Sequence, residues 1–268
     1  MRNPPSLPAA TGSLIRDLLR HKQVRDAEQA FVLEGVKPVL EALRLRASAV
    51  KALVVTPAFL SKERPTLERV LEGRAVPRYL CSETAFRKLS DVEHAQGILA
   101  VVRQPEWDEA AVLARPRVLG LFGERLQDPA NVGAIIRTAA AMDLSAVWLT
   151  PDSADPFNPK VVRATTGTLL QLPVFRRNDP SWFRDHGCAL LAAEPHGRQA
   201  RAIREIRAVP QRSVLAVGNE SRGLSDSTLR LAAIRFYIPL RRGIDSLNVA
   251  ASVAIAAFYF GGLPPHRR

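Results

Sequence analysis

The sequence predicts an α/β protein built as two successive sheet-containing parts. Three observations predict it. Short apolar runs alternate with amphipathic stretches along the whole chain, the pattern of strands interleaved with helices. With 268 residues, 47% of them hydrophobic, the chain can bury one normal core or two modest ones. The rhythm breaks at PEWDEAAVLARPR (105–117), where prolines and charges replace the apolar runs.

The elements follow in order. Residues 1–13 are expected to form a loose tail, and helical periodicity starts near SLIRDLLR with Ser13 as a candidate N-cap. FVLEGVKPVLEALRLRA is a strand entering a helix, and AVKALVVTPAFL adds a strand. SKERPTLERVLEGR is a charged helix, AVPRYLCS a strand and ETAFRKLS a helix. QGILAVVRQPEW is a strand that stops at Pro105. A small α/β domain over 1–105, a linker over 106–116 and a second domain over 117–268 are therefore expected.

From residue 117 onward strands and helices alternate. VLGLFGERL, SAVWLT, RSVLAVGN and IRFYIPL are strands. AIIRTAAAM, DSTLRLA and SLNVAASVAIAAFYF are helices, while KVVRATTGTLLQLPVF holds a helix and then a strand or loop, and WFRDHGCALLAAE a helix and then a strand. Such alternation predicts a largely parallel sheet covered on both faces, with ligands outside the carboxyl ends of its strands.

Composition narrows the partner. Lys plus Arg total 38 against 26 Asp plus Glu, a formal net charge of +12. Residues 1–105 hold 17 basic and 11 acidic side chains, so the surplus is shared equally between the two parts. Such a surplus suits a polyanion, and the predominance of arginine suits bidentate phosphate contacts; solvated surface charge is the alternative. Cys81 and Cys188 are far apart and lack the spacing of a metal or redox pair, so both are expected to be reduced core thiols, with no metal. The proline-bearing start MRNPPSLPAATGSL is unlike a signal peptide, and the apolar run Val249–Phe260 is too short to span a bilayer. A cytoplasmic protein that does not associate with membranes is expected.

Three loops concentrate polar groups at predicted strand ends. In RLQDPANVGAIIRTAAAM, Asp128 or Asn131 can cap a helix whose first turn holds Gly133 and which later carries Arg137. Helix N–H groups and a fixed arginine suit a phosphate; a capped helix with one solvent-facing arginine would look the same. In LAVGNESRGLSD, Gly218 and Gly223 bracket Asn219, Glu220 and Arg222. That spacing is neither a Walker loop nor GxGxxG, which disfavours nucleoside triphosphates and NAD; an ordinary loop with surface charges is the alternative. In IPLRRGIDSLNVAASVAIAA, Ser246 or Asp245 can cap a helix rich in small residues.

Taken together and in this order, Asn131-x-Gly133-x-x-x-Arg137-Thr-Ala, Val-Gly-Asn219-Glu220-x-x-Gly223-Leu-Ser, and Ile238-Pro239 with Ser246-Leu-Asn248-Val resemble the three signature motifs of SpoU/TrmH-type RNA ribose 2'-O-methyltransferases, members of the SPOUT superfamily. The resemblance spans roughly residues 115–265. RDAEQAFVLEGVKPVLEAL and HAQGILAVV resemble the RNA substrate-binding domain of the same family, which is like ribosomal protein L30. Two departures stand out. Asp143 replaces a frequent glycine, and Thr165-Thr166-Gly167 replaces a frequent serine-alanine-glycine.

The resemblance implies a C-terminal parallel-sheet domain with a trefoil knot, preceded by a smaller α/β domain. It implies S-adenosylmethionine held by Val217, Gly218, Asn219, Ile238, Leu240, Leu247 and Asn248. Arg137 would stand at the reacting hydroxyl, Asn131 would orient Arg137 or the RNA, and Glu220 would orient the arginine or accept a hydroxyl hydrogen bond. It also implies a homodimer through the C-terminal domain and 23S ribosomal RNA as the target. A tRNA target and a non-catalytic RNA-binding assembly factor are the alternatives. For RNA capture, Arg16, Arg20, Lys22 and Arg25 recur near helical spacing, and Arg222 either meets phosphate or faces water.

Overall fold

The computed structural model describes residues 4–194 and 199–265. It comprises two compact units: Met1–Glu106 with Phe157–Leu170, and Trp107–Pro156 with Gln171–Arg268.

The first unit contains α1 (Ala9–Arg20), α2 (Lys22–Glu28), β1 (Ala30–Glu34), α3 (Val36–Arg46), β2 (Val50–Val55), α4 (Pro57–Leu71), β3 (Arg78–Leu80), α5 (Glu83–Leu89) and β4 (Ile98–Arg103). Its sheet runs β1-β4-β2-β3, with β4 antiparallel to both neighbours and β2 parallel to β3. Ile15 and Leu18 of α1 pack with Phe86 and Leu89 of α5 on residues from all four strands and the buried Cys81. Residues 1–3 of the expected tail lie outside the described residues, and the stretch from Pro5 to Pro8 is better anchored than a tail. Leu7 donates its N–H to Leu80 O at 2.9 Å, and Leu80 donates to Pro5 O at 2.8 Å. The helix accordingly begins at Ala9, after an extended Pro8, and Ser13 lies exposed inside it rather than capping it.

The second unit begins within the stretch expected to be a linker. There α6 (Glu109–Leu113), capped by Asp108, sends Val112 and Leu113 into the core beside Val118, Phe122 and Trp148. Along the chain then come β5 (Val118–Gly123), α7 (Pro129–Ala141), β6 (Val147–Leu149), α8 (Pro159–Thr165, a part of the first unit), β7 (Val174–Arg176), α9 (Ser181–Asp185), β8 (Ala189–Ala193), β9 (Arg201–Ala202), β10 (Arg212–Val217), α10 (Asp226–Leu231), β11 (Ala232–Tyr237) and α11 (Val249–Gly261). The sheet order is β7-β6-β5-β10-β8-β11-β9, and every pairing is parallel. Parallel strands present all their carboxyl ends at one edge, so the loops after β5, β8, β10 and β11 emerge together.

One segment of the expected 117–268 domain belongs elsewhere. Helix α8 and its flanks, Phe157–Leu170, are built into the first unit. The Phe157 ring lies 5.1 Å from that of Phe31, Arg163 pairs with Asp91 at 2.9 Å, and Arg46 donates to Leu170 O at 3.1 Å. Val161 and Val162 of α8 are buried. Position along the chain hides this, because a short apolar helix face does not declare which sheet it covers.

Both departures from the family pattern lie on left-handed backbone. Asp143 has φ +54° and Thr166 φ +50°. Aspartate tolerates that region and glycine adopts it freely, which accounts for the exchange at 143. A β-branched threonine tolerates it poorly. Cys81 and Cys188 are free and buried, and burial pushes both thiols above their ordinary pKa. Among the described residues no helix is long and apolar enough to cross a membrane.

Thr166 ends α8 in the conformation that favours glycine, its N–H bonded to Arg163 O. Thr166→Gly is expected to stabilise the protein by about 1 kcal/mol, seen as a higher urea midpoint.

Candidate active site

The first loop leaves β5 at Glu124. Arg125 adopts φ +56°, its N–H bonded to Thr150 Oγ1 at 2.8 Å, and Leu126 N–H bonds Ser153 Oγ at 3.0 Å. Asp128 caps α7 by accepting from Ala130 N–H at 2.9 Å, and Pro129 occupies the first turn, where no backbone donor is needed. Asn131 is therefore free of capping and is buried. It donates from Nδ2 to Glu220 Oε1 at 2.7 Å and accepts at Oδ1 from Asn248 Nδ2 at 2.8 Å. One carboxamide thus joins all three loops.

The second loop leaves β10 at Val217. A Cβ placed on Gly218 would lie 2.2 Å from the carbonyl group of Gly223, so only glycine lets the loop fold back on itself. Gly223 has φ +65° and donates its N–H to Asn219 O at 2.8 Å. Asn219 Oδ1 accepts from Ser221 and Arg222 N–H at 2.9 and 3.1 Å, while its Nδ2 donates to Arg125 O at 3.0 Å. Asn219 is thereby a brace of the loop as well as part of its wall.

Glu124 was not foreseen. Its carboxylate is buried and accepts from Ser225 N–H at 3.1 Å and Thr228 Oγ1 at 2.8 Å, and it pairs with Arg125 at 3.2 Å. It fastens the first loop to the end of the second. The available signal is an acid placed directly after the apolar strand β5.

The third loop follows β11 through Ile238 to Asn248. Asn248 is the cap of α11, accepting from Ala250 and Ala251 N–H at 2.9 and 3.3 Å, so neither Ser246 nor Asp245 serves. Its side-chain oxygen holds the helix while its nitrogen reaches Asn131.

The second and third loops enclose a cavity of about 380 Å³. Val217, Gly218, Asn219, Ile238, Leu240 and Leu247 line it, together with Glu220 and Arg222. Asn248 does not; its bonds are to Asn131 and to the start of α11. Arg137 projects from α7 into solvent with no hydrogen bond or ion pair among the described residues. Glu220 is thus bonded to Asn131 and not to Arg137. Arg222 is exposed, and its guanidinium is likewise without a partner among the described residues.

The basic stripe of the first unit is shorter than expected. Arg20 and Lys22 are exposed and Arg16 is half-buried, but Lys22 pairs with Asp26 at 2.5 Å. Arg25 is 3% exposed and donates to Leu18 O at 2.7 Å, satisfying a carbonyl in the last turn of α1. The chain breaks helix at His21, and α2 starts in a new direction that turns Arg25 inward. Periodicity carried across that break placed it on the wrong face.

Residues 119–258 match the model of the SpoU rRNA Methylase family, and residues 15–100 match the MRM3-like substrate binding domain. The chain belongs to the SpoU rRNA methylase family. It has the all-parallel seven-stranded sheet typical of the knotted SPOUT fold, preceded by a smaller α/β domain. The 23S rRNA (guanosine(2553)-2'-O)-methyltransferase RlmP of Bacillus subtilis is 34% identical over 254 residues, 91% of this chain and 93% of that one. The 23S rRNA (uridine(2479)-2'-O)-methyltransferase of Streptomyces viridochromogenes is 30% identical, over 90% of this chain and 84% of that one. Among solved structures, the AdoMet-bound rRNA methyltransferase of Sinorhizobium meliloti superposes with a TM-score of 0.81 at 26% identity, covering 96% of both chains.

Asn248→Ala removes the cap of α11 and the bond to Asn131 together. It is expected to cost about 1–2 kcal/mol of stability, measured by thermal or urea unfolding, and to weaken cofactor binding although Asn248 does not line the cavity.

Proposed function

We propose that this SpoU-family protein transfers a methyl group from S-adenosylmethionine to a ribose 2'-hydroxyl of 23S ribosomal RNA. The observation that carries this reading is the union of the three motif loops at Asn131, beside a cavity formed by two of them.

The cavity suits the cofactor. Its volume lies within the roughly 300–1,000 Å³ usual for small-molecule sites. Val217, Ile238, Leu240 and Leu247 offer apolar walls for an adenine, and the strand ends between them offer backbone N–H and C=O groups. Bound there, the cofactor supplies an electrophilic methyl group on a sulfonium, so the protein has to position and stabilise rather than generate a reagent.

Arg137 stays charged, since a guanidinium pKa is above about 12. Its role in this reading is to stabilise negative charge developing on the 2'-oxygen and to hold an adjacent phosphate, while the proton leaves to water or a phosphate oxygen. Asn131 already spends its oxygen on Asn248 and one N–H on Glu220. It therefore orients Glu220 more directly than it could orient Arg137. Glu220 keeps its second carboxylate oxygen for a hydroxyl of the RNA. Arg222, at the cavity rim, is placed to meet phosphate.

Capture of RNA falls to the first unit, whose match is to a substrate binding domain. Arg16, Arg20 and Lys22 remain as its phosphate contacts, and Arg25 is withdrawn from that role. The named relatives that act on 23S rRNA support that target over tRNA.

A homodimer through the second unit is part of the same reading. Ala251, Ile255 and Phe258 form an exposed stripe on α11, with Ile255 40% and Phe258 74% exposed. Their i, i+4, i+7 spacing places them on one helix face, as a seam between copies requires.

Arg137→Ala is expected to lower the methyl-transfer rate on unmodified 23S rRNA by at least about 100-fold, in the range for loss of one preorganised charge-stabilising donor, with S-adenosylhomocysteine affinity by calorimetry unchanged. Equal loss of both would contradict the role. Phe258→Glu is expected to convert the dimer to a monomer in light scattering; a monomeric parent protein would reject the dimer.

A further inference from the structure

Glu194 is a carboxylate that no motif and none of the roles above accounts for. It follows the last residue of β8, at the carboxyl edge of the parallel sheet, and forms part of the cavity wall with Val217, Phe236, Tyr237 and Ile238. Its backbone is fixed, because its N–H donates to Phe236 O at 2.8 Å. The side chain is held from one side only. Oε2 is buried 4.0 Å from Arg235 Nη1, beyond hydrogen-bond reach, and has no hydrogen-bond partner. Arg235 is itself tied to Leu229 O through Nε at 3.0 Å. Oε1 also accepts no hydrogen bond among the described residues, and unlike Oε2 it is not sealed from the cavity or solvent. A carboxylate oriented by a nearby cation and left without donors is an acceptor awaiting a ligand, since a largely buried charge without hydrogen bonds is costly.

The sheet order says which part of a ligand it would meet. Asn131 and Arg137 follow β5, and the second loop follows β10. Glu194 follows β8, on the far side of β10 from β5. At a strand spacing of about 4.8 Å, it stands about 10 Å from the end of β5, whose loop carries Asn131. In the reading above the methyl-bearing end meets the RNA beside Glu220, which Asn131 of the first loop holds, and the β8 side is left for the nucleoside. An acid at the end of a parallel strand is a recurrent acceptor for ribose hydroxyls in open α/β sheets. Asp245, the other carboxylate of the wall besides Glu220 and Glu194, is exposed in the third loop, where water competes for it.

We propose that Glu194 grips the ribose hydroxyls of the adenosyl cofactor, with Arg235 as the residue that positions its carboxylate. This rests on the cofactor assigned above but not on the identity of the RNA. Calorimetry with S-adenosylhomocysteine on the full-length wild-type protein, E194Q and E194A tests it, with adenosine and 2',3'-dideoxyadenosine as competitors. Loss of a hydrogen bond to a charged group corresponds to about a 10- to 100-fold drop in affinity. E194A is expected to show that drop, and E194Q, which keeps the shape and one acceptor, a smaller one. The wild type is expected to prefer adenosine to its dideoxy analogue by a similar factor, and E194A to bind the two alike. Unchanged affinity in both variants, or undiminished discrimination against the dideoxy analogue in E194A, overturns the proposal. A wild-type protein that binds no S-adenosylhomocysteine overturns the cofactor assignment with it, whereas normal binding without rRNA methylation removes only the target.

Discussion

The site depends on one carboxamide. Asn131 accepts from Asn248 and donates to Glu220, joining positions 117 and 89 residues away in the sequence. A carboxamide suits this junction because it offers an acceptor and donors on opposite sides of one rigid plane. An aspartate there would face Glu220 with like charge, and a leucine would take a hydrogen-bond partner from both Glu220 and Asn248. The same junction couples α11 to the loops, since Asn248 is both its cap and the donor to Asn131. Order in the cavity wall is therefore bound to the stability of a helix that contributes most of its side chains elsewhere.

Around that junction lies a second layer of constraint. Gly218 allows the second loop to close on Gly223, and the Glu124 carboxylate draws Ser225 and Thr228 against the first loop. Backbone geometry and a buried charge do different work here. Glycine makes the crossing sterically possible, and the carboxylate, satisfied by two donors and the Arg125 guanidinium, selects that crossing over looser ones. Stiff loops suit a site that must align reacting atoms, because alignment achieved beforehand need not be paid for during the reaction.

How much of this was legible depended on the range of the interaction. Local rules found the elements: the apolar run at β10, the Asp-Pro entry to α7 and the alternation of the second unit all appear where periodicity and turn chemistry put them. Order of motifs along the chain found Asn131, Glu220 and Asn248, but not their mutual bonds, because hydrogen bonds across about a hundred residues leave no local trace. Two differences concern where helices begin and end. Periodicity continued from α1 puts Arg25 on its exposed face, although the helix breaks at His21. Ser13 has the chemistry of a cap, but the helix starts after Pro8. Glu124 and Glu194 escaped notice because a carboxylate after a strand resembles any surface acid until its neighbours are known.

Helix α8 gives the chain an unusual itinerary. The backbone enters the second unit after Glu106, returns to the first at Phe157 and leaves again after Leu170. During synthesis the first unit can acquire its sheet early, yet the surface that receives Phe157, Val161 and Val162 stays uncovered until that later segment has left the ribosome. By then β5, α7 and β6 are already exposed and seeking partners. A nascent chain of this kind is most vulnerable to sticking midway through its length, and cutting the gene between two apparent domains would make that passing vulnerability permanent.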